Sequence, residues 1–280
     1  MICDKPATSA PVDLRSEEAL YLYCLARSDL VREFVSTGDD THGPVSVWTF
    51  SDLAAVASAV PIEQFSGPPA EALMNDLEWI GKRAVHHEVV VERVMRYSPV
   101  FPAGFGTLFS SFASLEKFLV KHHDTILRFL QSVADSEEWA VKVSLDKGAA
   151  QREMVATRLA NHSEQLTVVP AGLRYLRERQ ISAEAERQVG EWVKETCERV
   201  VTNLYRHASR FCERPLISSS KPDAGSEIIC NWAFLVERLE LARFDGWVAI
   251  ANTDFERLGL SFQVTGPWPP YSFCPSLLME

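Results

Sequence analysis

Two histidine pairs are the first places in this 280-residue chain where side-chain chemistry is conceivable. His86-His87-Glu88 is followed by Glu92, so that Glu88 and Glu92 are four residues apart, the spacing at which one helix face carries two metal ligands. His122-His123-Asp124 repeats the pattern downstream. Adjacent histidines diverge by about 100° around a helix, so neither pair forms a site alone, and neither reads H-E-x-x-H. A metal-dependent enzyme would need both helices side by side with four histidines converging. That is the alternative reading of this chain.

Other chemistries find less. There is no G-x-S-x-G elbow, and no cysteine in a recognisable catalytic context. Gly104-Phe105-Gly106-Thr107 lacks the lysine and the glycine spacing of a phosphate-binding loop, and no dinucleotide fingerprint occurs. The sequence therefore assigns no catalytic residue, no metal ligand and no cofactor.

The elements that would position any site belong to a globular chain, 46% hydrophobic and 24% charged. With 28 basic against 38 acidic residues the formal charge is −10, which argues against nucleic acid or an anionic membrane as partner. Met1-Ile2-Cys3-Asp4-Lys5-Pro6 is not a signal peptide, and the most apolar run, Leu53 to Ile62, is too short to cross a bilayer. The reading is a soluble cytosolic protein. Its six cysteines show neither C-x-x-C nor zinc spacing and read as free structural thiols.

Residues 1–18 read as a flexible lead-in. Leu20–Ala26 is apolar on both faces and predicts a central strand, followed by a short helix or loop through Leu30 and Phe34. Val45–Phe50 and Leu53–Val60 predict a hairpin around Ser51-Asp52. Pro68 and Pro69 open one long helix whose stripe runs through Leu73, Leu77, Ile80, Ala84, Glu88, Val91 and Met95. Trp79 falls off that stripe, as either a second packing contact or a protein-binding anchor. Trp79 is one candidate protein-interface residue, together with Phe105 and Phe109 of the glycine-punctuated link after a short strand at Val100-Phe101.

A second helix carries Leu115, Leu119, His122, Ile126, Phe129 and Val133. Glu138–Leu145 alternates as a strand with its odd positions on a core. Helix follows from Ala149, breaks near Pro170, restarts from Ser182 as N-cap, and reaches Phe211 before Pro215. A short strand at Leu216-Ile217-Ser218, a turn over 221–225, a strand over Ile228–Val236, a helix over Leu241–Phe255 and a strand over Leu258–Val264 complete the order. Strand, helices, hairpin, helix, strand is a βαββαβ pattern, and the first half reads the same way. The fold class is α+β: two tandem ferredoxin-like domains, 19–135 and 136–265, with extra helices and a Pro/aromatic tail, 266–280.

That tail holds Gly266-Pro267-Trp268-Pro269-Pro270-Tyr271-Ser272-Phe273. Its prolines forbid helix and central strand. Docking three aromatic rings is worth on the order of 10 kcal/mol gross. Pro267, Trp268, Pro269, Pro270, Tyr271 and Phe273 therefore read as tail-docking residues, seated on the second unit or between the two. The other reading is a Pro-rich ligand exposed to a partner groove.

The octet resembles the closing signature of the gas vesicle protein F/L family (GvpL/GvpF). Further matches are similar in order: Leu20–Ala26, Leu53–Pro61, Asp76-Leu77-Glu78-Trp79-Ile80 with His87-Glu88, Pro99-Val100-Phe101-Pro102 leading to Phe105-Gly106-Thr107, Glu138–Lys142, and Asn231-x-Ala233-Phe234-Leu235-Val236. One departure is Gly104, where members often carry Arg before Phe-Gly-Thr. The resemblance implies a gas vesicle accessory or minor structural protein needed for vesicle formation, located at gas vesicles and in cytoplasm. Its implied partners are the main shell subunit and other accessory proteins; no enzyme activity or cofactor is implied.

Overall fold

The computed structural model describes residues 14, 15, 17–31, 43–163, 170–216 and 225–277. The lead-in up to residue 13, the Phe34 segment, Ile217-Ser218 and the turn over 221–224 lie outside the described residues. Helix and sheet are mixed, in two units: residues 1–136 with 268–280, and residues 137–267.

Unit 1 is built on β1 (Glu18–Arg27), whose interior is buried on both faces. The hairpin β2 (Ser46–Phe50) and β3 (Leu53–Pro61) turns at Ser51-Asp52, with Ser51 at φ 53. Across the sheet the order is β2-β3-β1-β4, where β4 is Val100–Pro102; β5 (Leu108–Phe109) also pairs with β1. Every pairing is antiparallel. A register shift between Leu22 and Cys24 bends β1.

Two helices cover this sheet. The predicted single helix is two: α1 (Pro68–Leu73) and α2 (Leu77–Met95). Asp76 separates them, because its carboxylate accepts from the backbone N–H of Glu78 and Trp79 and starts a new helix. Tyr21 and Tyr23 meet His87 of α2. On the other face Phe109, across from Leu20, meets Phe118 of α3 (Phe112–Ser132), and Phe101, across from Leu25, meets Phe129. Leu115, Leu119, Ile126 and Phe129 of α3 are buried as their spacing predicts.

Unit 2 starts with β6 (Ser136–Asp146), and Val141, Val143 and Leu145 enter its core. Glu138, predicted on the less buried face, is fully buried and forms an ion pair with Arg214. α4 (Lys147–Asn161) packs on α5 (Ala171–Tyr205). α5 begins eleven residues before the predicted Ser182 cap; Ser182 is interior and its hydroxyl donates to the Glu178 carbonyl. It also stops early, at Tyr205, and Phe211 lies in β7 (Arg210–Glu213). There Ser209 N–H bonds to Leu235 and Arg214 N–H to Asn231, so pairing with β8 (Ser226–Glu237) overrides the apolar helical spacing.

After α6 (Leu241–Phe255), β9 (Leu260–Trp268) is an edge of the order β7-β8-β6-β9. Pro267 is tolerated in a strand because that strand has an unpaired side. The edge-facing backbone groups of Phe262 are satisfied by Asn252, whose side chain accepts from its N–H at 2.8 Å and donates to its carbonyl at 2.9 Å. Each unit thus orders its strands second, third, first, fourth.

The entry to β9 depends on Gly259, at φ +83. A Cβ there would lie 2.5 Å from the Asp146 carbonyl oxygen and 2.9 Å from the Ala150 nitrogen. Gly259→Ala is expected to lower unfolding free energy by roughly 2 kcal/mol or more, read by urea denaturation. An unchanged midpoint would refute this account of the turn.

Candidate interaction surface

α2 does not present the face its apolar residues predict. The buried residues are Arg83, His87, Val90, Val91 and Val94. At 100° per residue that face is turned by roughly 80° from the predicted stripe. Leu77, on the predicted stripe, is consequently 84% exposed; Val85 and Val89, which lie off that stripe, are 64% and 53% exposed. Trp79, predicted off the stripe, sits beside the buried face and packs on Phe65 with ring centroids 5.8 Å apart.

The inward polar groups explain the rotation. The Arg83 guanidinium lies 4.1 Å from the Trp79 ring centroid and 5.6 Å from that of Phe65, and donates to Gln64 Oε1 at 2.7 Å. Among the described residues no carboxylate pairs with it, and burial lowers its pKa. His87 joins three segments. Its Nε2 is 3.1 Å from the Ala103 carbonyl oxygen, which can only accept, so Nε2 carries the proton. Nδ1 then accepts from the Tyr21 hydroxyl at 2.9 Å, and that oxygen accepts from Gly106 N–H at 3.3 Å. Backbone bonds from Ala103 N–H to Tyr23 and from Leu22 N–H to Thr107 pin the same link to β1.

Phe105 is held by this arrangement, edge-on to Tyr21 and to His87 at 6.2 Å, and is 39% exposed. Phe109, the third predicted interface residue, is buried against Phe118. Leu77, Val85 and Val89 of α2 are thus exposed apolar residues of unit 1, as are Ile62 and Met74. The sequence signal missed was Asp76 as a cap, which resets the helix phase, and the need of the two buried tyrosines in β1 for hydrogen-bond partners.

The sequence reading seats the tail on the second unit or between the two; residues from Trp268 onward group with unit 1. Pro269, Pro270 and Phe273 are buried, Trp268 and Tyr271 half-buried, and Pro267 exposed. The Tyr271 hydroxyl donates to Glu88 Oε2 on α2 at 3.1 Å. Burial, then the Glu88 carboxylate, raises the Tyr271 pKa, so the phenol stays protonated and the bond is maintained. Just before it, a Cβ on Gly266 would meet the Glu138 carbonyl and the Trp139 ring at 3.0 Å.

The histidine pairs divide differently from a metal site. Both ring nitrogens of His87 are engaged, and His86 stacks edge-on to Tyr23 and His122 on Phe118. Among the described residues no three His, Cys, Asp or Glu side chains are grouped to hold an ion. A cleft of about 610 Å³ between α4 and α5 is lined by Glu153, Arg158, Glu191, Trp192 and Glu195. Among the described residues no helix is long and apolar enough to span a membrane.

Residues 19–275 match the family model described as gas vesicle synthesis protein GvpL/GvpF. The chain belongs to this family. It is 30% identical over 242 residues to gas vesicle protein L of Streptomyces sp. (strain CB03234), covering 84% of this chain and 86% of that protein. It is 27% identical to gas vesicle protein F of the same strain, over 90% of this chain and 98% of the relative. The crystal structure of GvpF from Anabaena sp. PCC7120 shares the fold, with a TM-score of 0.67 and 16% identity over 94% of this chain and 98% of that one. Membership in the GvpL/GvpF family supports a role in gas vesicle formation.

His87 makes the unit 1 core pH-sensitive in a definite direction. Burial lowers its pKa from 6.5 to about 4. The folded state holds the ring neutral while the unfolded chain takes up a proton below pH 6.5. Stability is complete above that value and falls as pH drops from about 6.5 towards 4, by up to about 3 kcal/mol. Urea unfolding of wild type and His87→Gln across this range checks it; equal slopes would exclude His87 as the cause.

Proposed function

We propose that this GvpL/GvpF protein acts as a gas vesicle accessory or minor structural protein. It binds the main shell subunit and other accessory proteins during assembly, at the vesicle and in the cytoplasm. Its scaffold is two tandem ferredoxin-like units, a reading supported by the shared strand order of the two sheets. The single observation that carries the binding role is the outer face of helix α2, where Leu77, Val85 and Val89 are exposed while Arg83 and His87 face inward. Each of those apolar side chains gains about 1.5–3 kcal/mol on burial in a partner. Leu77, Val85 and Val89 fall on one i, i+4 row of α2, with Gly81 between the first two, and exposed apolar surface of this kind often marks a protein-binding face.

The chemistry of the task agrees. A small apolar subunit that assembles through strands needs its hydrophobic surface covered until it reaches the growing wall. Phe105 and half-buried Trp79, held rigidly on the same unit, add aromatic contact area at low entropic cost. The proposal assigns the chain no reaction of its own.

Co-expression and co-purification with the main shell subunit and the other accessory proteins test it. The double variant V85D/V89D should keep its melting temperature, since both side chains face water. Its affinity for the bound partner should fall tenfold or more, about 1.4 kcal/mol. Undiminished binding removes α2 from the interface. Failure of the wild-type chain to retain any of these proteins, with normal vesicles after gene deletion, overturns the function.

A further inference from the structure

We propose that β2 is a strand-addition edge, which takes up an extended, uncharged segment of a partner chain as a further strand of the unit 1 sheet. The inference rests on the shell-subunit reading above and gives it a mode of recognition.

The two sheets end on β2, β4, β7 and β9, and these edges are not built alike. β4 is buried, three residues long and ends in Pro102, which has no N–H to offer. β7 carries Arg210 and Glu213 at its ends, with Arg214 just beyond. β9 has the edge-facing groups of Phe262 bonded to Asn252, and it closes on Gly266-Pro267-Trp268. Burial, proline, charge and plugged backbone groups are the devices that keep foreign strands off a sheet. β2 has none of them. Ser46-Val47-Trp48-Thr49-Phe50 contains no charge, proline or glycine, and its register with β3 runs without a bulge. Among the described residues no strand pairs with its other side.

The register fixes which groups are on offer. Phe50 lies opposite Leu53 across the two-residue turn Ser51-Asp52, and such a turn makes its flanking residues a hydrogen-bonded pair. Pairs alternate from there, so Trp48 and Ser46 direct their backbone groups to Ala55 and Ala57. The N–H and C=O of Val47 and Thr49 therefore point away from β3, and another strand is the structure that matches their spacing. The edge is held in place beforehand. Val47 packs against the unit 1 core, and Trp48 is buried with its ring centroid 5.1 Å from that of Phe112. A rigid edge loses little entropy on pairing, and exposed Thr49 leaves the approach open. A charge on the incoming segment would lose hydration beside a strand that offers no countercharge, which selects an uncharged partner strand.

The experiment uses the full-length chain co-purified with the main shell subunit and reads amide hydrogen exchange residue by residue. Exchange at Val47 and Thr49 should slow at least tenfold in the complex, by a larger factor than at Trp48, which is already bonded to β3. Thr49→Pro deletes an outward donor and leaves the β2–β3 bonds in place, so retention of the subunit should fall tenfold or more. Thr49→Lys keeps every backbone group but sets a charge on the edge, and should also weaken retention. Unchanged exchange at Val47 and Thr49 in the wild-type complex overturns the proposal and leaves the shell-subunit reading standing. Undiminished retention by a cooperatively melting Thr49→Pro chain does the same. Slow exchange at both amides in the free chain overturns it as well, because a second copy then holds the edge. A wild-type chain that retains no shell subunit removes both readings. The wild-type exchange map decides the matter even if the proline variant fails to fold.

Discussion

Burial of one neutral imidazole organises unit 1. His87 spans Tyr21 on the central strand and Ala103 on the following link, and both of its nitrogens are satisfied there. A buried polar group without partners costs about 1–3 kcal/mol, so this pair of bonds sets the rotation of α2 about its axis. Arg83, one turn earlier, is held on the same face by Trp79, Phe65 and Gln64. With Arg83 and His87 inside, Leu77 of the expected apolar stripe faces water. The outer surface of the helix is thus a consequence of what its inner surface must satisfy.

The same logic shows what the sequence could and could not reveal. β1, the Ser51-Asp52 hairpin, β6, β8, α3 and α6 are legible, because their apolar periodicity coincides with where the core lies. The phase of α2 was not legible. Hydrophobicity alone places Leu77 inward, and only Tyr21 and Ala103, distant in sequence, make His87 the better inward residue. Phe211 misled for a related reason: it sits at helical spacing from Leu204, yet the backbone there is claimed by pairing with β8.

The closing segment combines both lessons. Its prolines mark an edge position, and β9 occupies one. Its aromatic content marks a docked segment, and Phe273 is buried. What composition could not supply was the address, because the acceptor is a single carboxylate, Glu88, on a helix whose phase was itself misread.

That address has a consequence for biosynthesis. The chain leaves unit 1 after residue 136 and re-enters it only at residue 268. A ribosome therefore delivers all of unit 2 before the last piece of unit 1 exists, and the usual order of N-terminal domain first cannot run to completion here. A message truncated just ahead of that point yields a polypeptide whose later-made half is whole and whose earlier-made half is left ajar. Full translation is written into the closure of the first unit.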